Sequence, residues 1–155
     1  MTSADQVELQ IRIAARPATV FRYFTDPARL QQWLGPRSEF DAREGGSLVV
    51  RFPTDDPSAM GTITEVVPDR RIVFTWGYDG SNHGMAPGSS TVSVDLEPIP
   101  EGSLLTLKHW GFPRPELGQE HLGGWRHYFG VVAAKAAEET VGVVAEHVVD
   151  QFIAA

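Results

Sequence analysis

The residues that could do chemistry are few. Cysteine is absent, which removes thiolate catalysis, disulfides and cysteine-based zinc or iron–sulfur sites. The chain contains no H-E-x-x-H, G-x-S-x-G, G-x-x-x-x-G-K-[ST] or G-x-G-x-x-G segment, so the zinc-peptidase, serine-hydrolase, phosphate-loop and dinucleotide signatures are missing. The histidines are His83, His109, His121, His127 and His147. None stands four residues from another, the spacing that sets two imidazoles on one helix face for a metal, and His121 and His127 read as lying on different faces. No metal site and no cofactor is expected.

His109 is the first candidate for acid–base or ligand-orienting chemistry. Its strand parity matches Leu105 and Leu107, so the pleat turns it to the inner face. A neutral imidazole there can orient a polar group or exchange a proton near neutral pH, or it can simply be hydrogen-bonded at the open end of a sheet. Glu65 is the second catalytic candidate. It shares parity with Gly61, Ile63 and Val67, an inward position at which a carboxylate needs a cation or takes up a proton. Arg51 and Arg71 are the candidate partners, and a structural ion pair competes with a catalytic acid. The pairs Asp55-Asp56 and Glu138-Glu139 read as solvated.

Aromatic residues carry the richest signal. Trp33, Trp76 and Trp125 fall on three different elements, each at an inward position, with Phe74, Tyr78 and Phe129 in phase with them. Large flat side chains converging from several elements either fill a core or wall an apolar slot edged by N–H and O–H groups. Trp33, Phe74, Trp76, Tyr78, His109, Trp125 and Phe129 are the expected cavity-lining set.

These positions depend on the elements that carry them. Val7, Leu9, Ile11 and Ile13 alternate with Glu8, Gln10 and Arg12, the period of a half-buried strand. Pro17 suits the first turn of a helix carrying Val20, Phe21 and Phe24. Thr25-Asp26-Pro27 stops that helix and starts a second, with a capping oxygen and Pro at the first position. Leu30, Trp33 and Leu34 share one face of it, and Gly35-Pro36 ends it. From Ser38 the period becomes 2, which predicts strands over 38–42, 47–52, 60–67, 71–78, 90–98 and 103–112. Their short, turn-rich separators demand antiparallel neighbours. The stretch from Gly77 to Gly84 reads as a long hairpin loop, with a cavity lid as the alternative. Beyond Pro113-Arg114-Pro115 the spacing turns helical through Leu122, Trp125, Phe129, Val132 and Ala136, and continues through Val141, Val144, Val148 and Phe152. Unbroken, this helix would span on the order of 50 Å, and Gly142 is the expected break or kink.

The fold class is therefore α+β: strand, two short helices, a six-stranded antiparallel meander and one long C-terminal helix. The helix must bury its apolar stripe, and the concave face of a curved sheet is the surface large enough to take it. Such a grip is imperfectly filled, so an internal cavity is expected. A length of 155 residues argues for one domain over 1–155, with a core over about 5–137 and a helical extension over 138–155. Apolar residues at 42% and charged ones at 21% are the balance of a globular protein. A net charge of −7 with no basic run disfavours nucleic acid as a partner. The start lacks a basic region followed by an apolar core, and no run of about 18 apolar residues exists, so neither a secretory signal nor a membrane span is expected and a cytoplasmic location is the default.

In this order the residues resemble the START-like, helix-grip superfamily, also labelled SRPBCC, to which birch-pollen-allergen-like proteins belong. Within it they are most similar to the branch of homologues of the activator of the heat-shock protein 90 ATPase. The matching pieces are Val20-Phe21 with Thr25-Asp26-Pro27 and Leu30; Trp33-Leu34-Gly35-Pro36; Gly45-Gly46; Gly61 with Glu65-Val66; and Pro68 with Arg71-Ile72-Val73-Phe74-Thr75-Trp76. Thr91-Val92 with Leu96, Leu105-Thr106-Leu107 with His109, Gly111-Phe112 and Gly124-Trp125 complete the series, which covers about residues 5 to 137. The resemblance implies a seven-stranded helix-grip fold. On that fold lipid carriers, hormone receptors, aromatic-ring cyclases and co-chaperone domains are all built, so it implies no single function.

Two function classes follow from the residues and a third from the resemblance. The first is a carrier or sensor for a small hydrophobic molecule, oriented in the slot by His109 or Tyr78. The second is a cyclase- or hydrolase-type enzyme using His109 with Glu65 in the same slot. The third is a co-chaperone-like module that binds a larger protein. The absence of a recognisable nucleophile-and-base set favours binding over catalysis. The apolar stripe of 138–155 either folds back or meets a second copy, and a homodimer through this helix is the favoured reading.

Overall fold

The computed structural model describes residues 6–51, 58–79 and 84–154, with residues 142–154 described by their backbone alone. Three helices and seven strands appear in the order β1 (Gln6–Ile13), α1 (Pro17–Thr25), α2 (Pro27–Leu34), β2 (Glu39–Phe40), β3 (Ser47–Val50), β4 (Ala59–Val67), β5 (Arg71–Tyr78), β6 (Ser90–Ile99), β7 (Gly102–Trp110) and α3 (Pro115–Ala154). All seven strands join one antiparallel sheet in the order β1-β7-β6-β5-β4-β3-β2. The meander β2 to β7 is thus closed at its far side by the first strand, Val7 opposite His109 and Leu9 opposite Leu107. This is the α+β helix-grip arrangement that the alternation predicts, and its inner face is one continuous core running from Val7 to Ala136.

Local chemistry sets the two short helices. Both open on Pro at the first turn, where a missing N–H costs nothing. The Asp26 side chain accepts from the Ala28 N–H at 3.0 Å and caps α2. Leu34 is the last residue of α2 because Gly35 leaves the helix at φ +101°, a region that favours glycine. That early stop matters below, since it decides how far α2 covers the final helix.

One irregularity re-aims part of the sheet. Pairing between β4 and β5 shifts between Ile63 and Glu65, so Ile63 faces Phe74 while Glu65 faces Val73. An extra residue at Thr64 reverses the in–out phase of everything after it. Ile63 is fully buried, whereas Val67, three pairs on, is exposed.

The final helix is a single 40-residue element. It passes through Gly142, where a break or kink was expected. One glycine costs about 1 kcal/mol in a helix interior, too little to stop a helix flanked by Ala136-Ala137-Glu138-Glu139 and Ala145. Leu117, Trp125, Phe129, Val132 and Ala136 form its buried stripe. Near its middle, Glu139 accepts from Arg29 Nε at 2.8 Å and from the Tyr23 hydroxyl at 3.3 Å, which fastens α3 to α1 and α2. Arg29 also pairs with Asp26. The hydrogen bond to Arg29 holds the Glu139 carboxyl below its usual range. Burial, reinforced by the Glu139 charge, pushes the Tyr23 hydroxyl up to about 12. The side chains of Val144, Val148 and Phe152, which carry the expected apolar extension, lie outside the described residues.

Candidate functional site

A pocket of about 170 Å³ opens between α3 and the sheet. Its apolar walls are Leu34 from the end of α2, Val50 from β3, Trp76 from β5, and Trp125 and Tyr128 from α3; Tyr78, His121, Glu120 and Gly124 complete it. Trp76 and Trp125 meet edge to face, ring centroids 4.9 Å apart. An apolar cavity of roughly 150 Å³ holds one benzene molecule, so this volume suits a single ring. A larger hollow of about 460 Å³ lies between α2 and β2. It is rimmed by exposed Gln31, Glu39, Asp41 and Ser47, and its Glu39 is already paired with Arg51.

Gly124 is an informative wall residue. A Cβ built there would meet nothing within 4 Å, so no neighbour forces a glycine. In a helix interior that choice costs about 1 kcal/mol relative to Ala. The space its side chain would occupy belongs to the pocket.

Two chains of hydrogen bonds run behind and beside the pocket. In the first, Trp125 Nε1–H donates to His109 Nδ1 at 3.0 Å, His109 Nε2–H donates to Ser90 Oγ at 2.8 Å, and the Ser90 hydroxyl donates to the Trp76 carbonyl at 2.8 Å. An indole can only donate and a carbonyl only accept, so the direction and the His109 tautomer are set. His109 is wholly buried. Burial first, and His121 second, push it down to about 3, and the imidazole is neutral. In the second chain, Trp76 Nε1–H donates to the Tyr78 oxygen at 3.2 Å, the Tyr78 hydroxyl donates to His121 Nε2 at 2.7 Å, and His121 Nδ1–H donates to the Leu117 carbonyl at 2.7 Å. For a neutral His121 ring, the Leu117 carbonyl at one end sets this direction. The two histidine rings stand edge to face, centroids 5.2 Å apart.

The expected site residues part into three groups. Trp76, Tyr78 and Trp125 line the pocket. Trp33, Phe74, Phe129 and His109 are buried but do not line it. Trp33 and Phe129 pack on each other at 5.1 Å, and Trp33 Nε1–H is spent on the Tyr23 carbonyl at 2.8 Å. Phe74 is held edge to face by Phe40. Glu65 is corrected outright. The expected inward carboxylate points to the outer face, 45% exposed, and pairs with Arg71 at 3.2 Å, because the irregularity at Thr64 inverts the parity used to place it. Arg71 also holds Asp95 through both carboxylate oxygens at 2.8 Å. Glu65 and His109 therefore lie on opposite faces of the sheet and cannot act together. His83, within the expected loop, lies outside the described residues.

His121 is the residue that parity and periodicity missed. Its signal was present: it stands four before Trp125 and eight before Phe129, on the same helical stripe. Starting that stripe at Leu122 placed it one residue off the true line, which runs through Leu117, His121 and Trp125. Leu34, Val50 and Tyr128 had no distinguishing signal, being ordinary apolar or half-buried positions.

Comparison with known proteins agrees with the geometry. A family model described as activator of Hsp90 ATPase homolog 1-like protein matches residues 14–134. The human activator of 90 kDa heat shock protein ATPase homolog 1 is 24% identical over 124 residues, which are 80% of this chain and 35% of that protein. This chain thus spans about a third of the length of the curated relatives it matches. The solution structure of an AHSA1-like protein from Rhizobium etli is 38% identical, with a TM-score of 0.66 over 85% of this chain and 81% of that one. The Aha1 dimer from Colwellia psychrerythraea shares the fold at 16% identity, with a TM-score of 0.70 over 83% of this chain and 92% of that one. No helix among the described residues is long and apolar enough to cross a membrane.

Proposed function

This chain belongs to the family of activator of Hsp90 ATPase homolog 1-like proteins, and from that premise we propose that it binds a small, ring-bearing hydrophobic molecule between α3 and the sheet, as a carrier or sensor. The observation that carries the reading is Gly124: a helix gives up stability at the one pocket-facing position where a side chain would close the space. The apolar walls supply the affinity. Burying one ring removes roughly 100 Å² or more of apolar surface from water, worth about 2–3 kcal/mol before packing contacts are added. The enzyme reading built on His109 with Glu65 is not carried forward, since the pair is split across the sheet and His109 has both ring nitrogens engaged.

The test is ligand retention in native mass spectrometry after mild purification, set beside Gly124→Leu. The wild-type chain should carry a bound small molecule, or take up toluene on titration. The Leu variant should fold and take up neither. Equal uptake by both proteins would reject the pocket.

A second reading concerns assembly. The curated relatives are named for activating a heat-shock ATPase, and one structural neighbour is a dimer. In this chain α3 runs on past Glu139, its last side-chain fastening to α1 and α2 among the described residues, and Val141 is 68% exposed. We propose a homodimer through the stretch beyond Thr140. Sedimentation of the full chain should give a dimer at micromolar concentration, and truncation after Thr140, which keeps Glu139, should give a monomer. A monomeric full-length chain would reject it.

A further inference from the structure

Helix α3 sets Glu120, Gly124 and Tyr128 along the pocket at intervals of four. Four residues advance a helix by about 6 Å, so a carboxylate stands one turn before the gap at Gly124 and an aromatic ring one turn after it. Buried Trp76 and Trp125 wall the space itself. Elsewhere on the surface carboxylates are neutralised in place: Glu65 and Asp95 share Arg71, Glu139 holds Arg29, and Glu39 holds Arg51. Glu120 differs. Its exposed side chain has neither an ion pair nor a hydrogen bond among the described residues, and no arginine or lysine stands among the described lining residues. Aromatic faces are themselves negative and attract an ammonium group. Wall and rim therefore act with one sign, which repels an anion and draws a cation. A cation held at the rim also keeps much of its water, so it escapes the cost of full burial.

Resting on the binding reading above, we propose that the pocket selects an arylalkylamine, its ring seated over Gly124 against Trp76 and Trp125 and its ammonium group held at the mouth by the Glu120 carboxylate. The volume of about 170 Å³ takes the ring and leaves no room for the arm, which must run out to the rim. An arm of two carbons spans roughly the 6 Å between successive turns. There the ammonium brings donors only and the carboxylate acceptors only, so the two are complementary without rearranging any bond of the pocket.

Three probes share one ring and a two-carbon arm: 2-phenylethylamine, a cation; 2-phenylethanol, neutral; and 3-phenylpropanoate, an anion. Each is titrated into the full 155-residue chain at pH 8, where an alkylammonium keeps its proton and an ordinary imidazole is neutral, and followed by amide and indole N–H shifts. A slot without charge preference ranks the alcohol first and the two ions alike. Selection by Glu120 puts the amine first, about fivefold tighter than the acid at 20 mM salt, and narrows that ratio to less than about twofold at 0.5 M. The net charge of −7 also favours a cation, so two variants of equal charge separate site from background. Glu120→Gln should bring the amine-to-acid ratio close to one. Glu97→Gln should leave it unchanged, because Glu97 is exposed seven residues along β6 from Ser90, which pairs with Trp76, roughly 23 Å away and beyond the reach of screened charge. Equal binding of amine and acid, or the same ratio in both variants, overturns the proposal and leaves the pocket reading intact as long as the alcohol binds. Binding of none of the three overturns both.

Discussion

Two ends of the same helix meet the same kind of residue and produce different things. Around Phe129, aromatic rings from α1 and α2 close on α3: Phe24 lies 6.1 Å and Trp33 5.1 Å from it, and the ion pair of Arg29 with Glu139 fastens the next turns. Around Trp125 and His121, one to two turns earlier, rings are just as dense but a pocket remains. The difference is the layer above. Helix α2 ends at Leu34, so among the described residues only its last side chain reaches the pocket rim. Aromatic content therefore does not distinguish a core from a ligand site. Coverage does.

The sharpest way to break this comparison is to truncate one side chain at each end. Phe129→Ala should destabilise the fold by about 3–5 kcal/mol, seen as a lower urea midpoint, because the site is sealed on all sides. Leu34→Ala, which enlarges a space already open, should cost clearly less and change toluene affinity more. Equal losses of stability would mean that the pocket is ordinary core.

Acid should act on both ends, with the same sign and unequal size. A histidine titrates near 6.5 in an unfolded chain, and His109 is held down to about 3 in the fold. Between those values the unfolded state binds the extra proton. Stability is therefore full above about pH 6.5 and falls on acidification by roughly 1 kcal/mol per pH unit. Urea midpoints across pH 4–7 should show this slope in the wild type and a flatter one in His109→Gln. Identical slopes would remove His109 from the account. Glu139, whose titration is lowered by Arg29, contributes above its unfolded value and loses that contribution as pH falls through the carboxylate range. Glu139→Gln should cost about 1 kcal/mol at neutral pH and leave ring-probe binding at the other end unaltered.

How much of this was legible beforehand depends on what each residue's position follows from. The strand order, the two Pro-initiated helices and the inward placement of Trp76, Tyr78 and Trp125 follow from periods of 2 and 3.6 and from local capping, which the sequence displays. The split between lining and core residues does not. Trp33 and Phe129 carry the same pattern as Trp76 and Trp125, and only the length of α2 separates them. Glu65 failed for a different reason: parity is a counting argument, and one extra residue at Thr64 defeats it without leaving a glycine or proline to mark the spot. His121 was on the right helix and was lost through a stripe drawn one residue out of register.

The smallest expected effects come from the helix itself. Gly123 and Gly130 are solvent-facing and have nothing near a built Cβ, so each change to Ala should raise stability by up to about 1 kcal/mol with no effect on ligand uptake. Gly124→Ala should raise it similarly and weaken uptake. Thermal melts of the three variants, paired with toluene titration, sharpen the distinction between a glycine that is merely tolerated and one that holds space open.

The shift in β4 has a consequence for how this sequence can change over time. Ile63 and Glu65 lie in two halves of one strand that are out of phase, and Thr64 is the one residue between them that has no partner opposite. Deleting Thr64 would close the bulge and leave Glu65 next to Ile63, opposite Val73, on the outer face and within its pair with Arg71. A deletion there is absorbed in place, whereas one within β5, which is paired on both sides, would slide that strand by a residue and turn its side chains to the wrong face. In an alignment, position 64 would look variable both in letter and in presence.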